Sequence, residues 1–269
     1  MGFSRSRALP AWRRDAWQPQ PAEGEGAEVV LLADTFNGSF EPENLRAARR
    51  VLLAAGYRVV EPPRAGRPLC CGRTFLAAGL IDEARVEARR LIAALAPHVA
   101  RGARVIGLEP SCLLTLRDEY AAMLGQGEAT ALAANAMLFE EFLAAEQKAG
   151  RLKLALKPIG VAEAYLHGHC HQKAFGLVPD VAVVLGLVPD LTVKTIEATC
   201  CGMAGAFGYE VEHFDVSMRI GELSVLPAVR QAPAAALIVA DGTSCRHQIF
   251  DGTAREALHV ARVLERALA

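Results

Sequence analysis

Cys70-Cys71-Gly72 and Cys200-Cys201-Gly202 are the same tripeptide met twice, and their surroundings repeat as well. Each is followed, at similar distance, by a strand-like run ending in Ser-Cys: Ser111-Cys112 after the first and Ser244-Cys245 after the second. Adjacent cysteines cannot bond to one another without straining the peptide between them. A repeated pair therefore points to two thiolates aimed at one metal centre. The repeat predicts a duplicated scaffold.

Outward from the first pair, Glu28 to Ala33 is a short apolar run that reads as a buried strand. Leu45, Ala48, Leu52 and Ala55 then follow at helical spacing after Pro42, and Gly56 stops the helix. Tyr57 to Val60 is a second strand, with Cys70-Cys71-Gly72 in the loop beyond it. Ile81, Ala84, Ala88, Leu91 and Leu95 make one helical face, and Arg104 to Leu108 is a third strand ending at Glu109-Pro110-Ser111-Cys112.

The second half replays this order. Its strands are Ala162 to Leu166, Leu191 to Ile196 and Ala236 to Ala240, each ending at a cysteine-bearing loop. Val181 to Leu185 and a helix carrying Val216, Ile220 and Leu223 on one face lie between them, and a helix around Leu258 to Leu268 closes the chain. The predicted fold class is α/β: two tandem repeats with mostly parallel sheets and cysteines in loops at the C-terminal strand ends, where open α/β sheets collect ligands. The divisions are 1–26, an N-terminal tail or linker held loosely; 27–128, repeat 1; 129–158, a helical connector rich in alanine; and 159–269, repeat 2.

Composition agrees. Apolar residues make up 52% of 269 but aromatics only 6%, so Ala, Leu and Val fill the core, as suits helices on a parallel sheet. A net charge of -1 gives no field for nucleic acid. The first 20 residues carry four arginines and two tryptophans but no apolar core of a secretory signal, and no apolar run is long enough for a membrane span. A cytoplasmic protein is expected. Seven cysteines, an odd number, then read as metal ligands or redox groups rather than disulfides.

In the second unit Cys170, Cys200, Cys201 and Cys245 come from three successive strand-end loops, and four thiolates suit an iron–sulfur cluster or a tetrahedral zinc ion. The first unit keeps Cys70, Cys71 and Cys112 but has Asp34-Thr35-Phe36 where the second has Cys170. Three thiolates there hold a second site with an outside ligand such as Asp34 or a water, or are the remains of one. His167, His169 and His171 alternate with Gly168, Cys170 and Gln172, which on an extended chain places them on one side. They and His247 are expected to hydrogen-bond around the cofactor rather than bind it directly. A zinc-binding structural or regulatory module and a metal-free thiol–disulfide redox protein remain alternatives.

At these residues the chain resembles the cysteine-rich CCG-domain family, of the type found in heterodisulfide reductase and in the iron–sulfur component of glycolate oxidase. It is most similar to the C-terminal iron–sulfur portion of fused FAD-linked glycolate or D-lactate dehydrogenases. The likeness is carried by Asp34-Thr35-Phe36, Gly107-Leu108-Glu109-Pro110-Ser111-Cys112, His167-Gly168-His169-Cys170-His171-Gln172 and Cys200-Cys201-Gly202-Met203-Ala204-Gly205. The family pattern is a cysteine, then Cys-Cys-Gly, then Cys-x-x-Cys. Here the last cysteine is replaced by Thr115 and Gln248, and the first is missing from the first unit. The resemblance implies an oxidoreductase component with an iron–sulfur cluster of the 4Fe–4S kind, simpler than the family's five-cysteine noncubane arrangement. It implies electron transfer from an FAD-dependent 2-hydroxyacid dehydrogenase. FAD would sit only on a partner chain or domain, joined by a ferredoxin-like domain or subunit. The acceptor is expected to be a quinone or membrane-associated group, reached at the inner membrane face. The sequence has no flavin domain and no ferredoxin-type cysteine run, so those parts would come from another chain, or this is a separated fragment.

Overall fold

The computed structural model describes residues 2–64 and 66–269, and these divide into two compact units. One unit is Trp12–Ala155. The other is Leu156–Ala267 together with the N-terminal residues through Ala11.

In the first unit the chain runs β1 (Glu28–Leu31), α1 (Thr35–Ser39), α2 (Pro42–Ala54), β2 (Arg58–Val60), α3 (Arg73–Ala77), α4 (Ile81–Ala100), β3 (Arg104–Gly107), α5 (Pro110–Thr115), α6 (Glu119–Leu124), α7 (Gln126–Ala133), β4 (Ala136–Leu138) and α8 (Phe139–Lys148). The second continues with β5 (Glu163–Leu166), α9 (Cys170–Ala174), α10 (Val178–Leu185), β6 (Thr192–Thr195), α11 (Phe214–Glu222), α12 (Val225–Gln231), β7 (Leu237–Val239), α13 (Thr243–Thr253), β8 (Ala257–Leu258) and α14 (Val260–Ala267). Among the described residues there are two four-stranded sheets, in the orders β2-β1-β3-β4 and β6-β5-β7-β8, and every pairing in both is parallel. The same topology built twice is what the repeated cysteine motif predicts.

The reason for the parallel sheet is visible along β1. Val29, Val30 and Leu31 are buried in succession, as a strand covered by helices on both faces must be. Each sheet reverses its direction of growth between its first and third strands, the place where α/β sheets open a crevice at their C-terminal ends. The cysteine loops lie at those ends.

Three expectations change. The stretch 129–150 does not form a continuous helix. It breaks at Ala136–Leu138 into β4, which extends the sheet by pairing with β3. Three residues of Ala-Met-Leu carry no period of their own, so the pairing partner decides. Secondly, of the expected apolar face Val216 is exposed, Ile220 is half-buried and Leu223 lies exposed just past α11, while the buried positions of the helix are Ser217 and Gly221. Small residues are needed there because the backbone of the Cys-Cys-Gly loop and the Gln248 side chain press against them. Thirdly, the N-terminal segment is not loose. Ser4 donates to the Tyr209 carbonyl, Arg7 is buried in the second unit, and Trp17 is buried in the first, its indole N–H on Glu61. Among the described residues no helix is long and apolar enough to cross a membrane.

Candidate metal centre

Each cysteine is delivered by a backbone device that the two units share. Cys112 and Cys245 both sit in the first turn of a helix that follows the third strand of their sheet, α5 and α13. Cys170 opens α9 after β5, where Asp34 and His169 occupy equivalent N-cap positions and Thr35 stands in the place of Cys170. The first turn of a helix presents unpaired N–H groups, which favours sulfur as thiolate.

The Cys-Cys-Gly turn needs its glycine. Gly72 and Gly202 both have positive φ, 83° and 97°, and a methyl group on either would run into a carbonyl, of Ala84 and Ser217 respectively. The turn also places an N–H two residues on against each leading sulfur: Gly72 N–H lies 3.4 Å from Cys70 Sγ, and Gly202 N–H 3.3 Å from Cys200 Sγ.

In the second unit the four predicted thiols form a connected row: Cys170 interacts with Cys200, Cys200 with Cys201, and Cys201 with Cys245. The Cys201 and Cys245 sulfurs are 3.5 Å apart, too far for a disulfide, and all seven thiols of the chain are free. Cys170 is exposed, Cys200 half-buried, and Cys201 and Cys245 buried. Protons are shared unequally along the row. The hydrogen bonds from Cys170 and then Cys201 hold Cys200 far below the usual thiol range, and that from Cys201, with His167 behind it, does the same for Cys245. Cys170 is pushed up by Cys200 and by burial, and Cys201 by its two thiol neighbours and burial. A thiophilic ion entering here displaces the protons that the row still holds.

The histidines separate. Because α9 begins at Cys170, the segment is not extended, and the three do not line one side. His169 accepts the His171 N–H on its Nδ1, 3.1 Å, and its ring stacks on His171 at 5.2 Å. His247 Nδ1 lies 2.6 Å from the Tyr209 hydroxyl. His167 goes elsewhere: it is completely buried, and its ring nitrogen and the sulfurs of Cys201 and Cys245 all lie within 4.8 Å of one another. Among the described residues this is the one His/Cys/Asp/Glu group of three or more so tightly gathered.

A supporting frame went unread in the sequence. Asp241 is fully buried at the end of β7. It accepts from Gln172 Nε2 and from the Val260 N–H, both at 2.9 Å, while Gln172 Oε1 accepts the His169 N–H. On α13, Gln248, which stands where the family pattern has its last cysteine, donates to the Ser217 carbonyl at 3.0 Å and accepts from Arg7 at 2.7 Å. At this position the side chain serves as a brace.

The first unit brings Cys70, Cys71 and Cys112 together in the same way, but with three thiols instead of four. Cys70 is pushed up by Cys71 and by burial, and Cys71 by Cys112 and by burial. The Cys71 hydrogen bond pulls Cys112 down, but burial and the carboxylates of Asp34 and Glu109 outweigh it and leave it at about 11. Asp34 is not a spare ligand: its carboxylate accepts the Phe36 and Asn37 N–H groups and the Asn37 side-chain amide. The Thr35 hydroxyl bonds to Cys70. Four sulfurs, two of them already favoured as thiolates, and a buried imidazole fit a thiophilic metal or an iron–sulfur centre in the second unit. Three protonated thiols beside two carboxylates fit one less well.

Comparison with known proteins agrees with this architecture. Residues 32–117 match the family model of the cysteine-rich domain called CCG. One component of the anaerobic glycerol-3-phosphate dehydrogenase of Escherichia coli (strain K12) is 30% identical over 203 residues, which is 74% of this chain and 50% of that protein. The D-2-hydroxyglutarate dehydrogenase of the same strain is 26% identical over 234 residues, 85% of this chain and 21% of that protein. That of Pseudomonas putida is 28% identical over 249 residues, 91% of this chain and 23% of that protein. The chain thus spans about half the length of the first relative and about a fifth to a quarter of the other two. The matched segment carries Cys70, Cys71 and Cys112, and the second unit repeats its topology, so the chain is similar to the cysteine-rich CCG-domain family, with residues 32–117 matching its domain.

Proposed function

We propose that this chain is the iron–sulfur electron-transfer part of a flavin-linked dehydrogenase, with its centre held in the second unit by Cys170, Cys200, Cys201 and Cys245. The observation that carries this reading is the connected row of four thiols at the C-terminal ends of β5, β6 and β7. Similarity along most of the chain to parts of two dehydrogenases supports it. An iron–sulfur centre supplies one-electron uptake and release. The chain's own residues fix the donors: Gly202 N–H stabilises the Cys200 thiolate, α13 presents Cys245 from its first turn, and the Asp241–Gln172 pair holds the start of α9 on which Cys170 stands. Cys70, Cys71 and Cys112 form a second, altered site.

The partner is an FAD-binding dehydrogenase subunit or domain, with a ferredoxin-like relay between the flavin and this chain and a quinone or other membrane-associated acceptor beyond it. Its substrate class is a secondary alcohol flanked by an anionic group, with a 2-hydroxyacid as the favoured member, in keeping with the substrates that the relatives are named for.

Anaerobic purification followed by reconstitution with ferrous iron and sulfide tests this. The expected product is brown, contains iron and acid-labile sulfide, and loses both in the Cys201→Ser and Cys245→Ser variants. A colourless protein that holds zinc, or no metal at all, after reconstitution would overturn the reading in favour of a zinc module or a metal-free thiol protein.

A further inference from the structure

His167 is the exception among the buried histidines of its unit. His259 accepts the Ala261 N–H on Nδ1 and turns Nε2 toward Asp241; His169 accepts the His171 N–H. His167, with no exposed surface, has neither ring nitrogen on a protein oxygen or nitrogen, and the group it acts on is the Cys245 thiol, which it helps to hold down. The Cys201 and Cys245 sulfurs lie within 4.8 Å of its ring nitrogen, and its field also reaches Cys200. A buried polar group is ordinarily satisfied, and one aimed at two thiols in a thiophilic site has a metal as its natural partner.

The other unit supplies the control. Leu32 occupies the place of His167: each is the first residue past the opening strand, and each donates its N–H at 2.8 Å to the neighbouring strand, Leu32 to Ile106 and His167 to Val239. The position therefore tolerates a leucine, and the fold makes no demand for imidazole there. What differs between the two units is the chemistry next to it.

We infer that His167 is a direct ligand of the centre in the second unit, on its buried side with Cys201 and Cys245, so that the donor set is mixed thiolate and imidazole. This rests on the proposed iron–sulfur reading and extends it. Neutral imidazole in place of a thiolate removes one negative charge from the centre, which raises its reduction potential above that of an all-thiolate centre. With His167 bound on the inside, the exposed Cys170 becomes the exchangeable donor.

The test is pulsed EPR on the full chain, labelled with 15N-histidine, reconstituted with ferrous iron and sulfide and reduced with dithionite. A directly bound histidine nitrogen coupling is expected in the labelled protein and is absent in His167→Leu, the residue that the first unit already accommodates. His167→Cys is expected to retain iron, lose the coupling and shift the midpoint potential downward. The chain's first compact unit contains no histidine but His98, which is tied to Glu28, so a signal does not arise there. Iron and sulfide bound without any histidine coupling overturns the inference and leaves the iron–sulfur reading intact. A coupling that persists in His167→Leu also overturns it. Failure to bind iron at all overturns both. The labelled native chain decides the matter even where a variant does not fold.

Discussion

Arg7 and Gln248, 241 positions apart in the chain, share a buried hydrogen bond of 2.7 Å. The same guanidinium bonds Asp251 at 2.8 Å and lies 5.3 Å from the centre of the Phe214 ring. Gln248 in turn bonds the Ser217 carbonyl, against which the Cys-Cys-Gly turn packs. The N-terminal segment is thereby part of the wall behind the candidate metal centre.

Removing that brace has a defined cost. Arg7→Ala leaves Gln248 and Asp251 without their cation in a largely buried setting, which is expected to destabilise the protein by about 3 kcal/mol. Arg7→Lys keeps the charge but not the two-pronged geometry, and should recover only part of the loss. Urea unfolding followed by far-UV circular dichroism measures both. An Arg7→Ala variant as stable as the native chain would show that the segment merely lies on the surface.

Gly202→Ala combines a left-handed backbone with a collision at the Ser217 carbonyl. The backbone term alone is about 1–2 kcal/mol, and the collision adds to it. The expected result is a destabilised second unit and iron content after reconstitution well below that of the native chain, read by denaturation and metal analysis.

Asp34 is expected to make the metal-free first unit less stable as pH rises. Burial, reinforced by Glu109, raises its pKa from 3.8 to about 6 in the folded chain. Between those values the folded state holds a proton that the unfolded state has released. Its stabilising contribution is complete below the unfolded value and lost as pH climbs through about 6. A gap of roughly two pH units corresponds to about 3 kcal/mol. The stability of native protein minus that of Asp34→Asn should fall by that amount between about pH 4 and pH 7, whatever fixed cost the amide carries. A difference independent of pH would sink the assignment.

Cys200 should outrun the more exposed Cys170 in alkylation of the metal-free protein. The thiolate is the nucleophile, and Cys200 is held ionised while Cys170 is held protonated. Peptide mapping after brief iodoacetamide treatment should find Cys200 modified at a rate that hardly changes between about pH 5 and 8. An ordinary thiol reacts about tenfold faster per pH unit in that range. Modification of Cys170 first would mean that exposure, not ionisation, governs the row.

Much of the fold was legible because the apolar runs at Glu28–Leu31 and Arg104–Gly107 are buried on both faces and stand out without an alternating pattern. β4 and β8 were not, since three and two residues have no period and are strands only because a neighbour's edge pairs with them. The cysteines announced their own convergence through repetition. The brace from Arg7 to Gln248 could not be read, because nothing local to a Ser-Arg-Ala tripeptide says that its side chain crosses to a helix more than two hundred residues later. His167 was grouped with its neighbours by spacing. Only the helix that begins at Cys170 sends His169 and His171 one way and leaves His167 with the sulfurs.

The row of thiols runs from an exposed end at Cys170 to a buried end at Cys245. A centre seated on it has one open edge. Electrons delivered by a docked protein and oxygen arriving from solvent use the same doorway, so the edge that makes the centre useful also sets its working lifetime. A partner that covers Cys170 while exchanging electrons would shield the centre from wear in the same act.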